Sequence, residues 1–353
     1  MTDPRGDVGV ALATMQARCV IRGIDLADYQ RLSEKVADWD DWWDQWTEMG
    51  EHYLGLADRY QAAGWQRSAG AARVRAGVAF HFGKALAVQD DARYRDLTIR
   101  SVDAVAAGLR LQAPSFERIE VPFEGHKVVG NLRRPRGTDR PPLVLLIPGT
   151  ESVKEEFPQW EEDFLTRGMA TLSMDGPGQG EVGFELGIRH DYEHAVSALL
   201  DALDGRDDLD LARIAAAGVS LGGYYALRSA AFDPRVTAVL ANCGPWSLDE
   251  EWERMPPLYR AKYAWNLGGG SEDTARERAK ALTLDGVAEQ VDVPALVIFG
   301  GKDVLLDADR HGRRTAQALA MGELWMFERG NHAVTNCAAE HLGPGADWLL
   351  THM

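Results

Sequence analysis

Five consecutive residues, Gly218, Val219, Ser220, Leu221 and Gly222, set a serine between two glycines in the pattern G-x-S-x-G. They follow the apolar run Ile214 to Gly218 and precede the helical stretch Tyr224 to Ala231, the strand-turn-helix setting in which such a serine serves as a nucleophile. A sharp, strained turn lifts the hydroxyl clear of the strand, and the flanking positions leave no room for bulk. Otherwise the motif is a plain Gly-rich turn. A serine hydroxyl attacks only when a base takes its proton, and that base needs a carboxylate to orient it. In the chain order serine, acid, histidine, the candidates are Asp303 and His332. Asp303 ends the turn Gly300, Gly301, Lys302, Asp303, and His332, in the turn Gly330, Asn331, His332, directly follows the last apolar run. Asp307 competes with Asp303, because aspartate is frequent in turns for its own reasons.

A tetrahedral oxyanion needs two backbone N–H groups aimed at it. One is expected from Leu221, directly after the serine. The other is expected from the loop Pro148, Gly149, Thr150, Glu151, with Thr150 preferred and Glu151 as fallback. The run Asp175 to Gly180 is superficially like a dinucleotide fingerprint, but Glu181 stands where the third glycine belongs, so it reads as a tight loop at the rim of the site. No H-E-x-x-H or Walker sequence occurs. No cofactor and no metal are therefore expected.

Two kinds of periodicity frame these residues. Up to about Gln112 the apolar positions keep helical spacing: Trp39, Trp42, Trp43, Trp46, Met49, Tyr53, Ala57 and Tyr60 form one stripe, with Asp38 as N-cap and Gly64 as stop. A stripe of that spacing reads as core rather than a substrate-stacking surface. Further helices are expected over Ser68 to Val88 and Asp90 to Leu111, and His81 on the first of them reads as a packing histidine. After Pro114 the pattern changes to a hairpin, Ile119 to Leu132 turning at Glu124 and Gly125. Apolar runs follow at 143–147, 170–174, 214–218, 236–242, 295–300 and 324–328, alternating with helical stretches, as in a mostly parallel sheet covered on both faces. An insertion at about 244–293, containing Pro256, Pro257 and Gly268 to Gly270, leaves a strand end and is placed to roof the site. The expected organisation is an all-α domain over residues 1–113 and an α/β domain over 114–353.

Bulk properties narrow the partners. A net charge of −16 repels polyanions, so neither nucleic acid nor an anionic membrane surface is expected to bind. No run approaches the roughly 18 apolar residues of a membrane span. The stretch Val8 to Met15, with Asp3, Arg5 and Asp7 before it, lacks the features of a signal peptide. Three scattered cysteines, Cys19, Cys243 and Cys337, suit neither a disulfide framework nor a zinc site, so a reducing cytoplasm is the expected location. The expected partner is a small-molecule substrate, and a homodimer remains open.

Together the Trp-rich opening at Trp39 to Trp42, the Pro148-Gly149 loop followed by Glu155 and Glu156, the run Asp175 to Gly180, and the elbow Ser220 to Tyr224 resemble one family. It is the α/β-hydrolases with an N-terminal helical cap, which include 2,6-dihydroxypseudooxynicotine hydrolase, fungal polyketide chain-shortening hydrolases and fermentation-respiration switch proteins. The resemblance runs from about residue 25 to the end. It implies an α/β-hydrolase fold with a short insertion after strand 6, and an acidic residue after that strand that assists cleavage of a carbon-carbon bond beside a ketone. Asp249, Glu250 and Glu251 stand there, and the spacing from Ser220 favours Glu251; an acidic first turn of a helix is the plain alternative. Thr150 departs from the family pattern, which leads one to expect a larger apolar residue there. The activity so implied is hydrolysis of a ketone or β-diketone, aromatic or polyketide-like, through an acyl-enzyme on Ser220. Hydrolysis of an ester, lactone or thioester by the same residues, acyl transfer without water, and non-catalytic partner binding are the other readings.

Overall fold

The structure, a computed structural model, describes residues 5–88, 90–113, 115–269 and 271–353. Asp3, the boundary marker Pro114 and the breaker Gly270 lie outside the described residues. The chain divides into two compact units, one of residues up to 116 with 155–159, the other of 117–154 with 160–353. The short piece Glu155–Gln159 thus joins the helical unit although it lies within the sheet-forming stretch of sequence.

The helical unit holds α1 (Asp7–Ile21), α2 (Leu26–Lys35), α3 (Trp39–Ala62), α4 (Gln66–Lys84) and α5 (Asp91–Gln112). The carboxylate of Asp38 accepts the Asp41 N–H at 2.9 Å and caps α3, and Gly64 turns the chain away at φ 78°. Trp42 and Trp46 are buried with ring centroids 5.8 Å apart, and Trp46 meets Phe82 of α4 at 5.6 Å. The tryptophan stripe is therefore core of this unit. Helix α1 was not expected; Val8, Ala11, Leu12, Met15 and Cys19 form its buried face at helical spacing.

The second unit is built on eight strands in the order β1-β2-β4-β3-β5-β6-β7-β8. These are β1 (Glu117–Phe123), β2 (His126–Arg133), β3 (Pro142–Ile147), β4 (Ala170–Asp175), β5 (Asp210–Val219), β6 (Val236–Asn242), β7 (Ala295–Gly300) and β8 (Gly322–Phe327). Pairing is antiparallel for β1 with β2 and for β2 with β4, and parallel from β4 to β8. The β1–β2 hairpin turns on Glu124 and Gly125, both at positive φ (47° and 80°), the conformation that follows the strands' twist most closely. Strands β3 and β4 are buried throughout, as a sheet covered on both faces requires.

Between and after these strands come α6 (Pro158–Leu165), α7 (Glu193–Asp201), α8 (Leu221–Phe232), α9 (Leu248–Glu251), α10 (Pro257–Asn266), α11 (Glu272–Ala279), α12 (Arg314–Ala318) and α13 (Ala338–His352). Helices α9 to α11 make up the excursion between β6 and β7. Among the described residues no helix is long and apolar enough to cross a membrane.

Candidate active site

Strand order decides which loops meet. The chain runs from β3 to β4 on one side and then returns to β5 on the other, which leaves the carboxyl ends of β3 and β5 adjacent at a switch point. Ile147 pairs with Gly218 there, so Pro148 to Thr150 follow one strand and Ser220 the other, side by side.

Ser220 sits at φ 57°, ψ −129°, a conformation that costs a non-glycine residue on the order of 1–3 kcal/mol. Its N–H donates to Asn242 O at 2.8 Å and its carbonyl accepts the Gly223 N–H at 2.8 Å, which fixes the turn. A Cβ at Gly218 would stand 1.9 Å from Gly222 O, and one at Gly222 would stand 2.1 Å from Ile147 O. Both positions admit only glycine, and the motif spacing is thereby explained.

Leu221 is the first residue of α8, so its N–H has no acceptor within the helix and is available at the helix's positive end. Thr150 stands opposite, where the Gln179 side chain donates to Pro148 O at 2.6 Å and holds the loop from behind. Gln179 Oε1 in turn accepts from Gly176 N and the Tyr192 hydroxyl. Lys154 is tied to Asp175 through both its backbone N–H and its ammonium, each at 2.8 Å. The run Asp175 to Gly180 is thus a brace for the Pro148–Thr150 loop.

Asp303 and His332 lie 29 residues apart in sequence, and their side chains meet with His332 Nδ1 2.7 Å from Asp303 Oδ2. The other carboxylate oxygen accepts the N–H groups of Leu305 and Leu306 at 2.8 and 3.1 Å. The competitor Asp307 faces elsewhere, capping the π-helical segment Ala308–Arg313 through the Asp309 and Arg310 N–H groups. Asn242 Nδ2 donates to Ala333 O at 3.0 Å and secures the turn that carries His332.

Cys243, Asp303 and His332 present ligand atoms within 4.8 Å of one another, the one such cluster among the described residues. A metal there would need the thiolate. Burial, with the Asp303 charge added, pushes the Cys243 thiol well above its ordinary value. It stands as a thiol, and the cluster suits a hydrogen-bonded Asp–His pair better than a metal.

The three carboxylates after β6 have different surroundings. Asp249 pairs with Arg276 at 3.2 Å and Glu250 with Arg314 at 2.9 Å, all on the surface side. Glu251 is 2% exposed, and its Oε1 faces His311 Nε2 at 3.2 Å and the Arg254 guanidinium at 3.8 Å; neither Glu251 Oε1 nor His311 Nε2 has a hydrogen-bond partner among the described residues. His311 Nδ1 accepts the Trp246 backbone N–H at 2.9 Å, which leaves the ring's proton on Nε2, toward Glu251.

Sequence reasoning missed His311, Tyr263 and Cys243. His311 and Tyr263 lie in helical stretches with no motif around them, and Cys243 was counted only as an unpaired cysteine. The Tyr263 hydroxyl faces those of Ser220 and Thr150, and burial pushes the phenol well above its ordinary value, so it stays a proton donor. His81 turns out wholly buried against Glu156, 3.0 Å away.

A parallel sheet with a strained serine elbow at its switch point and an Asp–His pair two strands away defines an α/β-hydrolase architecture. The model of the alpha/beta hydrolase family matches residues 144–340, and the chain belongs to that family. It is similar to 2,6-dihydropseudooxynicotine hydrolase of Paenarthrobacter nicotinovorans, at 31% identity over 81% of this chain and 77% of that one. Hydrolase LUC6 of a Fusarium species is 35% identical over 64% of this chain, a match spanning 57% of the fungal protein. The crystal structure of the 2,6-dihydroxy-pseudo-oxynicotine hydrolase superposes with a TM-score of 0.86 at 30% identity, covering 94% of each chain. The protein is a hydrolase of this fold with a helical region before its sheet.

Proposed function

We propose that the protein hydrolyses a carbon-carbon bond adjacent to a carbonyl in a ketone or β-diketone of aromatic or polyketide-like kind, through an acyl-enzyme on Ser220. The observation that carries the carbon-carbon assignment is the burial of Glu251 against His311, on the segment after β6 where the family resemblance implies an assisting carboxylate. The similarity to the nicotine-derived and fungal hydrolases supports it.

Ser220 Oγ attacks the carbonyl carbon while His332 Nε2 takes its proton, Asp303 holding the ring from Nδ1. The N–H groups of Leu221 and Thr150 bind the oxyanion. Collapse of the tetrahedral adduct breaks the bond to the neighbouring carbon, whose electron pair leaves as a carbanion or enolate and takes the proton that His332 received from Ser220, directly or relayed through Glu251, so that His332 is neutral again. Water, deprotonated by His332, then attacks the acyl ester and returns Ser220. The reaction consumes one water and yields a carboxylic acid and the shortened ketone or arene.

Glu251→Gln is expected to slow β-diketone cleavage by about 10²- to 10⁴-fold, the range for one general acid–base group, and to leave aryl-ester hydrolysis nearly unchanged. Steady-state rates on both substrates measure this. Equal rates of wild type and variant on the diketone would rule out the role of Glu251, and activity on esters alone would make the protein a carboxylesterase.

A further inference from the structure

Thr150 is a hydroxyl-bearing residue at a position where the family resemblance leads one to expect a larger apolar side chain. Its residue exposure is 6%, and its Oγ1 is buried with no hydrogen-bond partner among the described residues. A hydroxyl buried in that way costs on the order of 1–3 kcal/mol unless something else satisfies it. Its neighbour across the loop is Tyr263, on the turn of α10 that precedes Asn266. Asn266 Nδ2 donates to the Thr150 carbonyl oxygen, and the Asn266 carbonyl accepts the Ile188 N–H at 2.8 Å. The end of α10 is thus pinned to the Thr150 loop on one side and to residue 188 on the other. That anchorage brings the Tyr263 hydroxyl to face the hydroxyls of both Thr150 and Ser220.

We propose that the Thr150 and Tyr263 hydroxyls form a second polar subsite beside Ser220 that receives a substrate oxygen β to the carbonyl under attack. The backbone N–H groups of Leu221 and Thr150 take the first oxygen, so the side-chain hydroxyls are left for another. In a 1,3-diketone that oxygen is two carbons from the attacked carbonyl. When the carbon-carbon bond breaks, its electron pair moves into the leaving fragment as an enolate, and the negative charge settles on this second oxygen. A phenol that stays protonated donates to it there, and the proton that finally saturates the carbon is the one His332 took from Ser220, delivered directly or through Glu251. The subsite therefore selects 1,3-dioxygenated substrates over simple ketones. Its catalytic consequence rests on the proposed carbon-carbon cleavage, whereas its binding preference does not.

The test uses the full chain carrying Ser220→Ala, so that ligands bind without turnover, titrated calorimetrically with benzoylacetone and with butyrophenone. Benzoylacetone is expected to bind about tenfold tighter or better, the worth of one well-placed hydrogen bond. Adding Tyr263→Phe, or Thr150→Val, which removes a hydroxyl and keeps the side chain's shape, should each reduce that preference by about tenfold. Melting curves of the variants confirm that the fold is kept. An unchanged preference in both variants, or no preference in the parent, overturns the subsite. A preference that behaves as expected in a wild-type enzyme that releases no acid from benzoylacetone keeps the subsite and removes the carbon-carbon reading.

Discussion

Two histidine–carboxylate pairs in this chain have nearly the same contact distance and opposite surroundings. In the helical unit His81 Nε2 lies 3.0 Å from Glu156 with both side chains at most 1% exposed. Glu156 also receives Arg18 through two nitrogens and Arg22 through one, so its charge is fully spent within the protein. In the sheet unit His332 lies 2.7 Å from Asp303 and is 20% exposed. There the carboxylate accepts from the backbone N–H groups of Leu305 and Leu306 and meets the histidine, with no Lys or Arg paired to it among the described residues. A carboxylate neutralised by two guanidiniums serves packing. One held by backbone amides beside a reachable imidazole retains the charge that stabilises an imidazolium.

The sharpest break between the two pairs is Asp303→Asn. On the proposed assignment turnover should fall by about 10⁴-fold, because the imidazole loses its tautomer and its counter-charge, with little change in melting temperature. Undiminished turnover in single-turnover kinetics would return Asp303 to a plain turn role. Glu156→Gln should act in the reverse sense. It removes the buried negative charge that Arg18 and Arg22 face, at a cost of about 3–5 kcal/mol, visible as a lower midpoint in urea.

The pH dependence of the helical unit sharpens the contrast further. Burial pulls His81 from its ordinary 6.5 down to about 4. Unfolded chains bind a proton there below about 6.5 and the folded protein only near 4, so stability falls as pH drops through that window, by on the order of 3 kcal/mol. Burial alone would raise Glu156, but the Arg18 charge and hydrogen bond hold it well below 4.5. Its contribution is therefore present above 4.5 and is lost only at lower pH. Denaturation midpoints measured from pH 7 to pH 4 should show the first slope, and His81→Gln should flatten it; an equally steep profile in the variant would contradict the neutral buried histidine.

Much of this was legible because it is local. The elbow glycines at 218 and 222 report a turn that admits no Cβ, the Glu124–Gly125 pair reports a hairpin, and the tryptophan stripe reports a helix face. Helix α1 was missed since its apolar residues Val8, Val10, Ala11, Leu12, Ala13 and Met15 run together instead of keeping to one face, which blurs the helical period. Among Asp249, Glu250 and Glu251 the sequence offers only position, and burial distinguishes them.

By itself the sequence determined the family, the sheet with its helical preface, and which serine, aspartate and histidine to consider, because motif spacing and hydrophobic period are properties of neighbouring residues. Only tertiary structure decided what each carboxylate and histidine faces. Glu251 meets His311 across 60 residues, and Thr150 meets Tyr263 across more than 100, through strand order and helix anchorage that no local pattern encodes. Residues so far apart in the chain acquire their chemistry from the dielectric and partners that the fold supplies.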